Sequence, residues 1–195
     1  CPYDFDKAKL VVKEMTDLMT LDLVDKRLVT DQIVLTVGYD IENLTDPDRY
    51  RKYKGSVTIV RYGRKVPKHA HGTTNLKRKT SSTILITDAV MELYDRIVDK
   101  NLLIRRINIT ANKLVDESFS KEEETYEQLD LFTDYTVKEQ EQAEEEAVLE
   151  REKRMQQTML TIKKKFGKNA ILKGMNLQEG ATAKDRNEQI GGHKA

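Results

Sequence analysis

Between Arg61 and Lys79 the chain carries seven cations and no acid: Arg61, Arg64, Lys65, Lys68, Lys77, Arg78 and Lys79. Cations without local counter-charge displace the counterions of a phosphate chain, and Thr73, Thr74 and Asn75 among them can donate to phosphate oxygens. This is the chemistry of a surface that tracks a nucleic-acid backbone; a solvated basic loop is the plainer alternative. His69 and His71 fall in the same block at the i, i+2 spacing of one strand face. A metal site needs more ligands, and His193 and Cys1 lie at the chain ends without ligand spacing, so both histidines read as surface residues or phosphate contacts rather than as a metal site.

A second stretch has recognition chemistry of another kind. Gln128, Leu129, Asp130, Leu131 and Phe132 form a short apolar peptide inside an acidic run that includes Glu122, Glu123, Glu124, Glu127 and Asp134. Three large apolar side chains in such a setting either tuck back onto a neighbouring domain or dock in a partner's pocket. In the docked reading Leu131 and Phe132 fill the pocket and Gln128 hydrogen-bonds at its rim.

The charge of the whole chain hides this segregation. Net charge is +1 over 195 residues, yet residues 116–152 hold fifteen acids against three bases and residues 153–195 hold ten bases against three acids. With 38% hydrophobic and 34% charged residues, one modest core domain with a polar, partly helical tail is expected. A single cysteine allows no internal disulfide and fits a reducing cytoplasm. No run of eighteen apolar residues and no basic-then-apolar N-terminus occurs, so neither a membrane span nor a signal peptide is expected. Opening on Cys1 rather than Met, the chain reads as part of something longer.

The elements that must position these residues follow from periodicity. Asp6 can cap a helix to about Leu28, with Ala8, Val11, Val12, Met15, Leu18, Met19 and Leu23 on its buried side. Ile33, Leu35, Val37 and Tyr39 then alternate with Gln32, Val34, Thr36 and Gly38 as in a strand with one buried face. Residues 41–56 read as an exposed excursion, and Val57, Ile59 and Tyr62 could form a short strand after it. An extended segment through Thr73 to Leu76 ends near Thr80. Ser82 opens a second amphipathic helix to about Asp99.

Residues 103–115 form a last strand with Leu103, Arg105, Ile107, Ile109 and Ala111 on one face, and Ile104, Arg106, Asn108, Thr110 and Asn112 on the other. The second face is polar enough to meet a ligand. The order helix, strand, strand, helix, strand predicts an α+β fold: two helices on one side of a small antiparallel or mixed sheet whose other side is polar and basic. Beyond it, a Glu-rich helix-prone segment leads to Met155, Met159, Ile162 and Phe166 at 4-3-4 spacing, closed by Gly167 at a C′ position. Residues 169–195 carry no defensible chemistry.

Three segments resemble the little-finger domain of Y-family translesion DNA polymerases, in the ImpB/MucB/SamB-like bacterial mutagenesis branch. They are Val34 to Asp40, Arg61 to Thr73 and Asp99 to Ile109; Arg186 to Ala195 also looks like the end of that branch. The resemblance implies a β-α-β-β-α-β domain over residues 1–117, its first strand lying before Cys1, whose sheet rests against primer-template DNA. Together with the charge pattern this makes Arg61, Arg64, Lys65, Lys68, His69, His71, Thr73, Thr74, Lys77, Arg78, Lys79 and Arg106 the expected DNA contacts.

The resemblance further implies that Gln128 to Phe132, in the acidic linker of residues 118–135, binds the polymerase sliding clamp (its β subunit); composition makes residues 136–195 a helical, partly disordered tail. A recombinase or accessory subunit is a further possible partner. Two-metal nucleotidyl transfer needs converging carboxylates, and the acids here are scattered, so this fragment is expected to be non-catalytic and cofactor-free, with Mg2+ used by the parent polymerase. The expected role is DNA damage tolerance in a bacterial cytoplasm, associated with the nucleoid. A non-enzymatic nucleic-acid adaptor sharing the domain is the alternative; paired metal-binding carboxylates encoded upstream of Cys1 would distinguish the two.

Overall fold

A computed structural model describes residues 2–60, 63–120, 135–190 and 193–194. Helix α1 spans Phe5–Asp25. It starts two residues earlier than expected: the Asp4 carboxylate, not Asp6, accepts from the Lys7 amide at 2.8 Å. Asp6 sits in the first turn, where a negative charge favours the helix dipole. The helix stops at Asp25 rather than Leu28, and Arg27 makes the exit with φ of 55°. Strand β1, Leu28–Tyr39, then runs through the centre of the sheet with Ile33, Leu35 and Val37 fully buried, as the alternation requires.

The excursion after β1 is built rather than loose. Helices α2, Glu42–Thr45, and α3, Pro47–Lys52, occupy it. Asp46 caps α3 through the amides of Asp48 and Arg49, with Pro47 in the first turn where its missing N–H costs nothing. Asn43 is fully buried and staples α2 to the segment that enters the last strand: its amide donates to Asp40 O and Leu103 O, and its carbonyl accepts from Leu103 N. Strands β2, Val57–Val60, and β3, Arg64–Pro67, follow as an antiparallel hairpin.

Strand β4, Ala70–Thr80, returns antiparallel to β1, and helix α4, Thr83–Ile97, crosses to strand β5, Ile104–Asn112. The strand order is β4-β1-β5, with the short strand β6, Val115–Asp116, extending β1 at its start. Helix α5, Glu117–Ser120, closes this part. Both long helices lie on one face, as expected, around Ile33, Leu35, Val37, Ile86, Val90, Leu93, Tyr94 and Ile104. Each such side chain, fully buried, contributes about 1.5–3 kcal/mol. Gly72 lets α4 approach β4 closely, since a Cβ there would meet Leu93 Cδ1 at 2.9 Å and Ile97 Cγ2 at 3.1 Å. Tyr94 donates its hydroxyl to Phe5 O at 2.8 Å, and burial raises its pKa.

Strand β5 departs from strict alternation. Gly38 pairs with Arg106 but Tyr39 pairs with Ile104, so Arg105 is the extra residue of a bulge. The irregularity turns Ile104 into the core, 2% exposed, and leaves Arg105 outside, 3.8 Å from Asp40. The expected faces are therefore correct for residues 106–111 and reversed for 104 and 105. Beside this edge, Tyr3 makes one antiparallel bridge to Ile104.

Helix α6, Tyr135–Phe166, ends before Gly167, whose φ of 98° is the left-handed exit expected there. Its docked face coincides only in part with the expected apolar stripe, through Met159 and the half-buried Ile162. Glu152, Gln156 and Met159 are buried, whereas Met155 and Phe166 are 56% and 67% exposed. Glu152 accepts from the Ser82 hydroxyl at 2.5 Å and the Ile84 amide at 2.9 Å, and Gln156 donates to Ser81 O and Thr83 Oγ1. A residue on α6 thereby helps cap α4. Lys153 pairs with Glu117 of α5 and Lys164 with Asp25 of α1.

The chain after α6 folds back onto α1. Glu14, with its side chain wholly buried, accepts from Asn176 Nδ2 at 2.9 Å, Thr182 N at 2.8 Å, Ala183 N at 3.0 Å and Arg186 Nη2 at 3.3 Å. The last three belong to helix α7, Ala183–Asn187, and its cap Thr182. Lys173 pairs with Asp17 one turn further along α1. Removing one partner of a buried, paired charge costs about 3–5 kcal/mol. Glu14→Ala is accordingly expected to lower unfolding free energy by about that much in denaturant titration, and to make residues 168–190 the first site of limited proteolysis. A change below about 1 kcal/mol with unaltered cleavage would show that the cluster does not hold the segment.

Candidate nucleic-acid interface

The face of the sheet turned away from α1 and α4 is open, and the register places its side chains in rows. Asn112, Gln32 and Asn75 make one row, Thr110, Val34 and Thr73 the next, Asn108, Thr36 and His71 a third, and Arg106 stands beside Gly38. These positions are the period-2 partners of the buried Ile33, Leu35 and Val37, so burial of one face dictates exposure of the other. His71, Thr73, Asn75, Arg106, Asn108 and Thr110 are exposed. Gly38 suits the close approach to β5, because a Cβ there would sit 3.3 Å from Arg106 Cβ.

Hydrogen bonds across the strands fix these groups in place. Gln32 Nε2 donates to Asn75 Oδ1 at 2.9 Å, and Asn112 Nδ2 reaches Gln32 Oε1 at 3.4 Å. Thr36 Oγ1 and His71 Nδ1 are 2.9 Å apart. His69 stands edge-on to His71 with ring centroids 6.4 Å apart. Among the described residues no group of three His, Cys, Asp or Glu is placed to hold a metal ion. Phe, Tyr and Trp are absent from these rows, leaving only the His71 ring to stack on a base; the surface offers hydroxyls, amides and cations.

Cations flank strand β4 at its two ends. At one side Arg64 and Lys65 are exposed on the β2–β3 hairpin, paired with Val60 and Ile59, and Lys68 and His69 are exposed in the connection to β4. Val57, Ile59 and Val60 are exposed on the same hairpin. At the other side the β1–β4 register jumps from Gln32↔Asn75 to Thr30↔Thr80, so that residues 76–79 face the single Asp31. That bulge carries Lys77, Arg78 and Lys79 out of the regular ladder. Lys77 is exposed, Lys79 is half-buried, and Arg78 bonds Glu145 of α6 at 3.0 Å.

The residues expected to contact DNA thus divide into groups. His71, Thr73 and Arg106 share the open face, while Arg64, Lys65, Lys68 and His69 precede strand β4 and Lys77, Arg78 and Lys79 lie at its end. Thr74 is not brought to this face: it pairs with the fully buried Ile33 on the helix side. Arg61 and the peptide from Gln128 to Phe132 lie outside the described residues. Asn75, read as a phosphate donor, is on the face, and Gln32, Thr36, Asn108, Thr110 and Asn112 belong to it although charge alone did not single them out as contacts. Their signal was the polar phase of the alternation in β1 and β5.

No described helix is long and apolar enough to cross a membrane. A search of curated proteins finds no match to the chain. The sequence pattern of the impB/mucB/samB family C-terminal domain, in contrast, matches residues 2–131, from the start of α1 through the acidic segment after α5. This is the branch whose motifs are seen in β1, in the basic block and at the start of β5. The chain belongs to the impB/mucB/samB family, whose C-terminal domain it carries in residues 2–131.

Proposed function

We propose that this chain is the DNA-holding and clamp-docking part of an error-prone translesion DNA polymerase acting in DNA damage tolerance. The observation that supports it best is the open sheet face, lined by hydroxyl and amide groups and Arg106, with Arg64, Lys65 and Lys68 before its edge strand β4 and Lys77 near that strand's end. Such a face suits the phosphates and sugars of a primer-template, which position the duplex without reading its sequence. It has few groups for stacking bases, so single strands should bind less well than duplex. Nucleotidyl transfer and its Mg2+ are assigned to parts of the parent protein outside this chain.

In this reading Gln128 to Phe132 tethers the enzyme to the bacterial sliding clamp. What supports the tether is composition and position: Leu129, Leu131 and Phe132 stand where the family match ends, at residue 131, within a strongly acidic segment. Leu131 and Phe132 would act as the buried anchors that carry most of the affinity in a peptide-pocket interface.

Two measurements test the two halves separately. Replacing Arg64, Lys65, Lys77 and Arg106 together with Gln is expected to weaken primer-template binding and to flatten its log–log salt dependence by about 0.9 per lost phosphate contact. An unchanged slope would overturn the interface. Leu131→Ala combined with Phe132→Ala should abolish clamp binding while leaving the thermal midpoint within a degree or so of the parent. A large drop in that midpoint would instead place the peptide against the chain's own core.

A further inference from the structure

The Glu-rich helix α6 stands where it can compete with a phosphate chain. Glu145 Oε1 lies 3.0 Å from Arg78 Nη2, with the Arg78 side chain 32% exposed and that of Glu145 56% exposed. Arg78 belongs to the basic bulge at the end of strand β4. The acid therefore occupies a cation that a duplex resting on that face could otherwise use. Glu144, Glu146 and Glu150 are exposed on the same stretch of helix, giving it a negative surface.

The position of this acid is set by the fold. Glu145 precedes the buried Glu152 by two helical turns and so shares its face, and Gln156 and Met159 continue that face one and two turns further on. Glu152 is bound to Ser82 and Ile84 and Gln156 to Ser81 and Thr83, immediately after β4 ends at Thr80. Locking α6 to the start of α4 therefore brings Glu145 to the cations at the end of β4. The anchor is buried and the acid–Arg78 contact is not, which is the arrangement of a competitor held near its target and easily displaced from it.

We propose that the acidic half of α6 is an internal competitor for nucleic acid, holding Arg78 until a duplex displaces Glu145. The inference rests on reading the open sheet face as the nucleic-acid interface. It gives the chain a way to suppress weak, unproductive DNA contacts while yielding to a duplex that engages the whole face. An exposed pair of this kind is weak, so removing the competitor should have a modest effect that disappears as salt screens it.

The test uses the full chain and a labelled primer-template duplex. Glu145→Gln keeps the helix and the side-chain shape but removes the charge. It is expected to tighten binding about two- to sixfold near 50 mM salt, the range implied by an exposed ion pair, and hardly at all near 300 mM. In an Arg78→Gln background the same substitution should give no gain. Equal or weaker binding by Glu145→Gln, or a gain that persists in full without Arg78, overturns the competitor while leaving the interface intact. If neither the parent nor the variant binds duplex even at low salt, the interface reading fails and the competitor fails with it.

Discussion

A buried carboxylate on α1 decides where the end of this chain goes. Glu14 lies on the first helix, yet its hydrogen-bond partners Asn176, Thr182, Ala183 and Arg186 are separated from it by 162–172 residues. A carboxylate out of water is costly unless its lone pairs are used, and here two backbone amides at the start of α7, an amide side chain and a guanidinium use them. Burial pulls the Arg186 pKa down and Glu14 opposes that pull. The C-terminal segment is thus bound to α1 by polar satisfaction rather than by an apolar stripe. The same device recurs where Glu152 of α6 meets the first turn of α4, so two helix starts are satisfied by acids from distant parts of the chain.

These attachments all lie on the helix side or at the end of the sheet, and no described element covers the opposite face. Its openness follows from β1, where Ile33, Leu35 and Val37 must face α1 and α4 and so commit Gln32, Val34 and Thr36 to the other side. An antiparallel sheet tolerates one solvated face, and cross-strand bonds such as Gln32 to Asn75 keep its amides oriented. Bulges at both ends of β1 put charge beside that face: Arg105 emerges at one, and Lys77, Arg78 and Lys79 leave the ladder at the other. The link from sequence to proposed function runs through this pairing of a buried phase with an exposed one.

Much of this was legible in the sequence. The alternation in β1, the Ser82 cap of α4, the left-handed exit at Gly167 and the α+β order of elements all rest on local signals, and local signals are what a single sequence contains. What was missed has a common cause. Asp4 and Asp6 both suit a helix cap, and only the backbone shows which one is used. The bulge at Arg105 shifts phase by one residue, which periodicity cannot show in advance. On α6 the apolar residues Met155 and Phe166 pointed to the wrong face, because docking there depends on Glu152 and Gln156 bonding to α4. Glu14 was invisible for the same reason: a buried acid looks like a surface acid until its distant partners are known. Of the candidate interface, the basic block and the polar phase of β5 could be read, whereas the departure of Thr74 to the helix side required the register.

The central claim is that nucleic acid rests on the open sheet face, and residue-resolved amide shifts during titration with a primer-template duplex address it most directly. The expected result is a set of salt-sensitive shifts confined to Gln32–Gly38, His71–Lys77 and Arg106–Asn112 with the neighbouring hairpin, and quiet amides along α1 and the C-terminal half of α4. Shifts centred on α1 and α4, or none along β1 and β5 at a duplex concentration that saturates binding, would contradict it.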